Sequence, residues 1–206
     1  MPRDIYIVRH GNTFDKGDTV TRVGARTDLD LSVSGQAQAD ALGAYFRDKG
    51  IVFSRTIAGP LKRTRQTADT IRAAQANPPA LEIADFLREI DYGPDENQPE
   101  DKVVARIGQD ALDRWEHEAI APPGWVVDPD ALAQNWKYLF ILLGQAENDG
   151  PVLVVTSNGI ARFARQVVET APDLPESTDL KLKTGAFAQV RLEGGVATLA
   201  AWNVRP

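Results

Sequence analysis

The stretch Ile5-Tyr6-Ile7-Val8-Arg9-His10-Gly11-Asn12-Thr13 decides how this chain is read. Four consecutive apolar residues, three of them β-branched, have the pattern of a fully buried strand in a parallel sheet. A guanidinium, an imidazole and a glycine follow at once. That is the carboxyl end of a strand, where open parallel sheets place their ligand crevice. His10 can serve as a nucleophile when one ring nitrogen is free and the other is held by a hydrogen bond. Arg9 carries a fork of donors shaped for phosphate-type oxygens. Gly11 allows backbone amides close to the same anion, and Asn12 and Thr13 add short polar contacts. The other reading is a chance Arg-His-Gly at a strand end, with His10 only hydrogen-bonded.

A second run of the same kind, Pro151-Val152-Leu153-Val154-Val155-Thr156, ends in Ser157-Asn158-Gly159. A helix is expected to follow from about Ile160 to Glu169. Small polar residues and a glycine between a parallel strand and a helix N-terminus form a ready anion site. These two strands fix an α/β fold, and the intervening segments supply helices for its faces. Ser32 is a candidate N-cap for a helix with an apolar stripe at Ala37, Ala41, Leu42, Tyr45 and Phe46, closed by Gly50. After a short strand at Arg55 to Ala58, Pro60 sits well near the start of another helix. There Arg63 falls in the first turn, where free amides already favour an anion, with Thr67 one turn on. Arg65 points about 200° away from Arg63 on the helix wheel, so Arg63 is the candidate to face the pocket.

Leu81 to Ile83 is a further short strand, and Glu89 follows among apolar neighbours in Phe86-Leu87-Arg88-Glu89-Ile90-Asp91-Tyr92-Gly93. A partly buried carboxylate there suits proton transfer. An exposed acid pairing with Arg88 is the alternative. In the loop from Phe14 to Leu31, Arg22 and Arg26 can reach an anion at His10 or remain solvated. Pro94 to about Lys102 reads as loop and Lys102 to Glu118 as one helix. After Ala121-Pro122-Pro123-Gly124, Asp128 or Asp130 caps a helix carrying Leu132, Trp136, Leu139, Phe140 and Leu143. His117, on a charged helix, is expected to be exposed. Ala186 to Leu192 and Val196 to Asn203 form an antiparallel hairpin around Gly194-Gly195, expected at the sheet edge.

Composition bounds the rest. A length of 206 residues fits a single domain over 1–206. A net charge of -6 argues against nucleic acid or an anionic membrane as the main partner. With no cysteine there is no disulfide, thiolate nucleophile or Cys-type zinc site. The N-terminus enters the first strand without a signal-peptide core, and no apolar run is long enough to span a bilayer, so a cytoplasmic protein is expected.

Taken in order, the motifs resemble those of the histidine phosphatase superfamily, the phosphoglycerate mutase-like proteins. Arg9-His10-Gly11 with Thr13 is similar to the family signature R-H-G-x-T. The likeness continues through Gly24…Asp28-Leu29-Asp30-Leu31-Ser32…Gly35-Gln36-Ala37, Leu61-Lys62-Arg63-Thr64-Arg65-Gln66-Thr67-Ala68 and Leu87-Arg88-Glu89-Ile90-Asp91-Tyr92-Gly93. The resemblance implies a three-layer α/β/α sandwich with a mostly parallel central sheet and a helical cap insertion at about 94–137. It implies that His10 carries a phosphohistidine and that Arg9 and Arg63 clamp the phosphoryl oxygens. Glu89 would be the proton donor. Asn12 stands where the family often has Glu or Gln, and Thr13, Arg22, Arg26, Ser157 and Asn158 are candidate substrate contacts. No metal or other cofactor is implied, since arginines supply the positive charge, and the partner is a small-molecule phosphate ester. Ser157 stands where the family pattern V-[ST]-H-G places a second histidine. The expected activity is phosphomonoester hydrolysis. A phosphoglycerate mutase and a silent phosphate-binding domain are the alternatives. Substrate identity and oligomeric state are not legible in the sequence.

Overall fold

The computed structural model describes residues 2–146, 150–174 and 180–206. Its centre is a seven-stranded sheet. β1 (Arg3–Arg9) pairs in parallel with β4 (Val152–Thr156), with Arg9 opposite Thr156. β4 pairs on its other side with β2 (Arg55–Ala58), and β2 with β3 (Leu81–Ile83), both in parallel. Beyond β1 lie β6 (Phe187–Glu193) and β7 (Val196–Val204), joined antiparallel, and then β5 (Glu169–Thr170), giving the order β3-β2-β4-β1-β6-β7-β5. The hairpin is therefore interior. β6 lies against β1, and the two-residue β5 takes the edge beside β7. Nothing in the short, mixed sequence of β5 announces it as a strand.

Alternation along β1 separates the two faces. Tyr6 and Val8 join a core with Leu42, Phe46 and Ile71 beneath α1 (Val33–Asp48) and α2 (Lys62–Ala73). Ile5 and Ile7 join the opposite core with Trp136, Leu143, Ile160 and Phe163 from α5 (Pro129–Gln145) and α6 (Asn158–Gln166). Period-two side-chain direction thus makes three layers, helices on both faces of a mostly parallel sheet. Tyr6 meets Phe46, Phe53 and Phe187 edge-on, and burial pushes its phenol up to about 12.

The helix boundaries follow local chemistry. Ser32 caps α1 by accepting from Gly35 N, and Gly50 takes φ +66° just past its end. The buried stripe is Gly35, Ala39, Leu42, Gly43 and Phe46, so Ala37 and Ala41 lie on the solvent side. Two glycines in that stripe explain the misreading, because they let helix backbones pack closely yet score as non-apolar. Asp128 caps α5. The expected single helix over 102–118 is two, α3 (Glu100–Ile107) and α4 (Gln109–Glu118), broken at Gly108 with φ +82°. α6 begins at Asn158, two residues before the expected start, so the strand end and the helix N-terminus coincide.

Candidate active site

The cleft opens at the carboxyl ends of β1 and β4 and has a volume of about 480 Å³. Arg9, His10, Asn12, Thr13, Glu89 and Asn158 line it, with Arg22 from the first loop. Residues from the two ends of the chain, Arg9 and Asn158 among them, thus converge because the parallel register of β1 and β4 places their ends side by side. His10 N bonds back to Thr156 O at 3.1 Å, which continues the ladder to the last residue before the cleft.

The hydrogen bonds of His10 define its tautomer. Nδ1 lies 2.7 Å from Gly11 O, and Arg63 Nε lies 3.2 Å from His10 Nε2. A guanidinium can only donate, so Nε2 carries the lone pair and Nδ1 carries the proton given to Gly11 O. Burial, with Arg63 and Arg9 beside it, holds the imidazole well below its usual 6.5. His10 is a neutral imidazole with a basic nitrogen directed at a cation.

Arg63 occupies the second position of α2, fully buried. Its Nη1 donates to Thr27 O at 2.9 Å and its Nη2 to Gly24 O at 3.2 Å. It stands behind His10 and is absent from the cleft wall. Thr67, one turn on, accepts from Gly11 N at 3.2 Å and donates within the helix to Arg63 O at 2.8 Å. Thus α2 reaches the His10-Gly11 segment at two points, through Thr67 and through Arg63 Nε. Arg9 is on the wall. Its Nη1 donates to Leu182 O at 2.8 Å, while its buried Nε has no hydrogen-bond partner among the described residues. Burial lowers the pKa of both guanidiniums from the usual arginine value.

Glu89 is buried, with Oε1 accepting from Ile90 N at 3.0 Å and Oε2 from Gly159 N at 3.3 Å. Arg88 pairs instead with Asp85. The amide expected to serve an anion at the start of α6 is therefore engaged by Glu89. Any Cβ on Gly159 would come within 2.2 Å of Glu89 Oε1, so this glycine makes room for the carboxylate. Asn158 lines the cleft, with Oδ1 accepting from Leu182 N at 2.9 Å.

Two expected contacts are placed off the cleft wall, and a third reaches it with its charge already matched. Ser157 has no solvent exposure and its Oγ has no hydrogen-bond partner among the described residues; its neighbour Asn158 holds the wall. Arg26 lies outside the cleft, with Nε on Asp91 at 3.1 Å and Nη2 on Gly93 O at 2.6 Å. The segment after Glu89, 65 to 67 positions on, supplies the acid and the carbonyl that hold it. Arg22 lines the cleft, but its charge is matched by Glu100 at 2.6 Å, and it stacks over Tyr92 and Trp125 at 5.3 and 5.0 Å. Asn12 donates from Nδ2 to Ser34 Oγ at 3.1 Å, which anchors it to α1. His117 is exposed on α4, as the charged surroundings suggested.

Sequence reasoning missed several wall residues: Tyr92, Glu100, Glu116, Lys181 and Thr184. Their local patterns carry no signal, because only the chain path brings α3, α4 and the segment before β6 to the mouth. Among the described residues no group of three or more His, Cys, Asp or Glu is arranged to hold a metal ion. No helix among them is long and apolar enough to cross a membrane.

Comparison with known proteins extends this picture. The model of the histidine phosphatase superfamily (branch 1) matches residues 5–205. A 2,3-bisphosphoglycerate-dependent phosphoglycerate mutase of Mesorhizobium japonicum is 26% identical over 187 residues, 90% of each chain. An Erwinia tasmaniensis protein named "Probable phosphoglycerate mutase GpmB" is 30% identical over 87% of this chain and 79% of its own. The fold matches a mycobacterial glucosyl-3-phosphoglycerate phosphatase with a TM-score of 0.78 at 20% identity, across 99% of this chain and 100% of that one.

Proposed function

Because the chain belongs to the histidine phosphatase superfamily (branch 1), we propose that it hydrolyses a small phosphomonoester through a phosphohistidine on His10. The observation that carries this reading is the His10 pair of bonds, Nδ1 to Gly11 O and Nε2 to Arg63 Nε, in a cleft shared with Glu89. The first fixes the ring and the second leaves the lone pair on the nitrogen that must attack phosphorus.

In the first half-reaction Nε2 gives up its hydrogen bond from Arg63 Nε, and the freed Arg63 N–H passes to a phosphoryl oxygen. Nε2 attacks phosphorus and the bond to the ester oxygen breaks. That oxygen takes a proton from the Glu89 carboxyl as the alcohol leaves. In the second, Glu89 as carboxylate removes a proton from water, whose oxygen attacks phosphorus. The N–P bond then breaks, its electron pair returns to Nε2, and inorganic phosphate departs. Arg9 on the wall, and the Arg63 N–H released from Nε2, would stabilise the charge carried by the equatorial oxygens. The same two cations disfavour imidazolium and so keep the nucleophile neutral. The mechanism asks for no metal, because the guanidiniums supply the positive charge. Asn12, Thr13 and Asn158 would orient the phosphoryl group, and Ser157 would stand where relatives carry a second histidine.

A second reading, phosphoryl return to a phosphoglycerate, is favoured by the relatives named as mutases over 90% of both chains. Hydrolysis ranks above it because a neutral residue at 157 leaves less charge to retain the phosphoryl group. A chelator-treated sample given a chromogenic phosphate ester, then a set of metabolite phosphates, tests the proposal. Release of inorganic phosphate with acid-labile label on His10 supports it. Release that depends on an added phosphoglycerate acceptor supports the mutase. Phosphate binding without either reaction would leave a binding domain.

A further inference from the structure

Glu96 lies in the polar stretch after β3, in a segment that shows no periodicity, and it does not line the cleft. Its carboxylate nevertheless accepts four hydrogen bonds. Oε1 takes Gly24 N at 3.1 Å, Arg26 N at 2.9 Å and Thr27 Oγ1 at 2.8 Å. Oε2 takes Tyr92 N at 3.1 Å. The two carbonyls of the same short loop, Gly24 O and Thr27 O, are the acceptors that grip the two terminal nitrogens of Arg63. Gripped in this way, Arg63 has its Nε left to point at His10 Nε2.

We infer that Glu96 is a positioning residue for the nucleophile: it gathers loop 24–27 so that its carbonyls hold Arg63 against His10. The inference rests on His10 being the nucleophile. Three donors converge on one oxygen from residues 24, 26 and 27, so a single carboxylate sets the spacing between two carbonyls three residues apart. That spacing matches the planar fork of a guanidinium, which tolerates little misalignment. Ala25 N adds a bond to Ile90 O at 2.9 Å, which docks the loop along the segment that carries Glu89. Fit around Gly24 is tight as well. A Cβ there would lie 2.3 Å from Glu96 Oε2 and 2.7 Å from Ile90 O. The relay thus runs from the loop after β3, through the loop after β1, to α2 and back to the end of β1.

Removing the carboxylate frees the loop and lets Arg63 withdraw. The charged groups set around His10 are Arg63 from α2, Arg9 from its own strand and Glu89 across the cleft. Loss of the nearest cation therefore raises the proton affinity of the ring. The chain has two histidines and His117 is exposed, so imidazole NMR follows His10 directly in the resting protein. In Glu96→Ala the His10 titration is expected to move up toward the ordinary 6.5, and the acid limb of kcat/KM to move with it. We expect kcat to fall by about 10–100-fold, the scale of an ångström-sized misplacement, and KM to change little because the cleft wall is intact. Glu96→Gln keeps an acceptor at Oε1 and is expected to stay within a few-fold of wild type.

A folded Glu96→Ala protein with wild-type His10 titration and wild-type kcat overturns the inference. Should that variant fail to fold, Thr27→Val removes one of the three donors while keeping the Thr27 carbonyl. It is expected to shift the titration in the same direction by a smaller amount, and an unchanged titration there overturns the inference equally. Because the titration is read without turnover, a wild-type protein inert toward every phosphate ester would count against the proposed function and leave this test standing.

Discussion

The ends of β1 and β4 lie side by side in the sheet and both reach one cleft, the first with Arg9 and His10 and the second with Asn158, yet they are built in opposite ways. Arg9-His10-Gly11 presents charge, and both ring nitrogens of His10, the Gly11 amide and Arg9 Nη1 are engaged. Ser157-Asn158-Gly159 presents no charge. Its serine hydroxyl is buried without a partner among the described residues, its asparagine forms the wall, and its glycine amide is given to Glu89. The glycines differ in the same sense. A Cβ on Gly11 would meet the Gly35 carbonyl of α1 at 2.2 Å, a backbone clash, whereas one on Gly159 would meet the tip of the Glu89 side chain. The first strand end is an imidazole held by its surroundings. The second is a seat for the Glu89 carboxylate.

The largest effect should come from the first strand end. His10→Ala is expected to reduce turnover by about 10³-fold or more, the scale seen when one member of a catalytic unit is removed. Rapid-quench labelling should then find no acid-labile phosphate. In the wild type the depressed imidazole stays neutral below pH 6.5, so the acid limb of kcat/KM is expected to lie below that value. The same shift has a stability consequence. The unfolded chain binds the His10 proton more readily than the folded one, so stability falls as pH drops through 6.5 toward the folded pKa. A limb at or above 6.5 would contradict the buried, cation-flanked ring.

Glu89→Gln comes next. General acid help is worth about 10²–10⁴-fold, and an alkyl ester should lose that much while a nitrophenyl ester loses far less. Equal losses would take the proton-donor role from Glu89 and with it the contrast between the two strand ends. Gly159→Ala should act through the same carboxylate. The clash is with a movable side chain rather than backbone, so the protein is expected to fold, while Glu89 is pushed from its seat. A loss of about 10–100-fold, again confined to poor leaving groups, would mark misplacement. Gly11→Ala is the control for the opposite case, since its clash with α1 should show as lower thermal stability.

The sequence disclosed what a single strand and its following turn contain. β1, β4, His10 and Glu89 each sit where buried apolar runs meet short polar segments, and local rules suffice to place them. Arg63, expected to face the pocket, instead turns its guanidinium to His10 and to the carbonyls of Gly24 and Thr27. Glu96 escaped because its four partners lie up to 72 positions away, and a glutamate in a polar loop has no period to betray it. Arg26 was misplaced for the complementary reason, as its acceptors Asp91 and Gly93 are equally distant in sequence. The break at Gly108 was hidden because apolar residues keep helical spacing across it, and only the positive φ reveals a corner. Side-chain aim at a strand end is the least legible feature. Residues 157 and 158 are both small and polar, and the turn into α6 alone decides which one reaches the cleft.

That ambiguity makes Ser157 the smallest and sharpest test of the comparison. Its Oγ makes no hydrogen bond among the described residues, and an unmade buried hydroxyl costs about 1–3 kcal/mol. Ser157→Ala is therefore expected to leave the melting temperature unchanged or raised, which is unusual for a buried polar residue. Its position beside His10 follows from the register of Arg9 with Thr156, so an occupied cleft can recruit the hydroxyl to a phosphoryl oxygen. One such bond to a charged group contributes about 1.5–3 kcal/mol. On that basis vanadate inhibition should weaken by about 10–100-fold in Ser157→Ala if the hydroxyl turns inward, and Asn158→Ala should weaken it independently. Stability that rises with no change in vanadate binding would assign the whole phosphoryl contact of the second strand end to Asn158. Ser157→His adds an imidazole where a small buried side chain now sits. Tighter vanadate binding in that variant would show that the second strand end is short of charge rather than short of space.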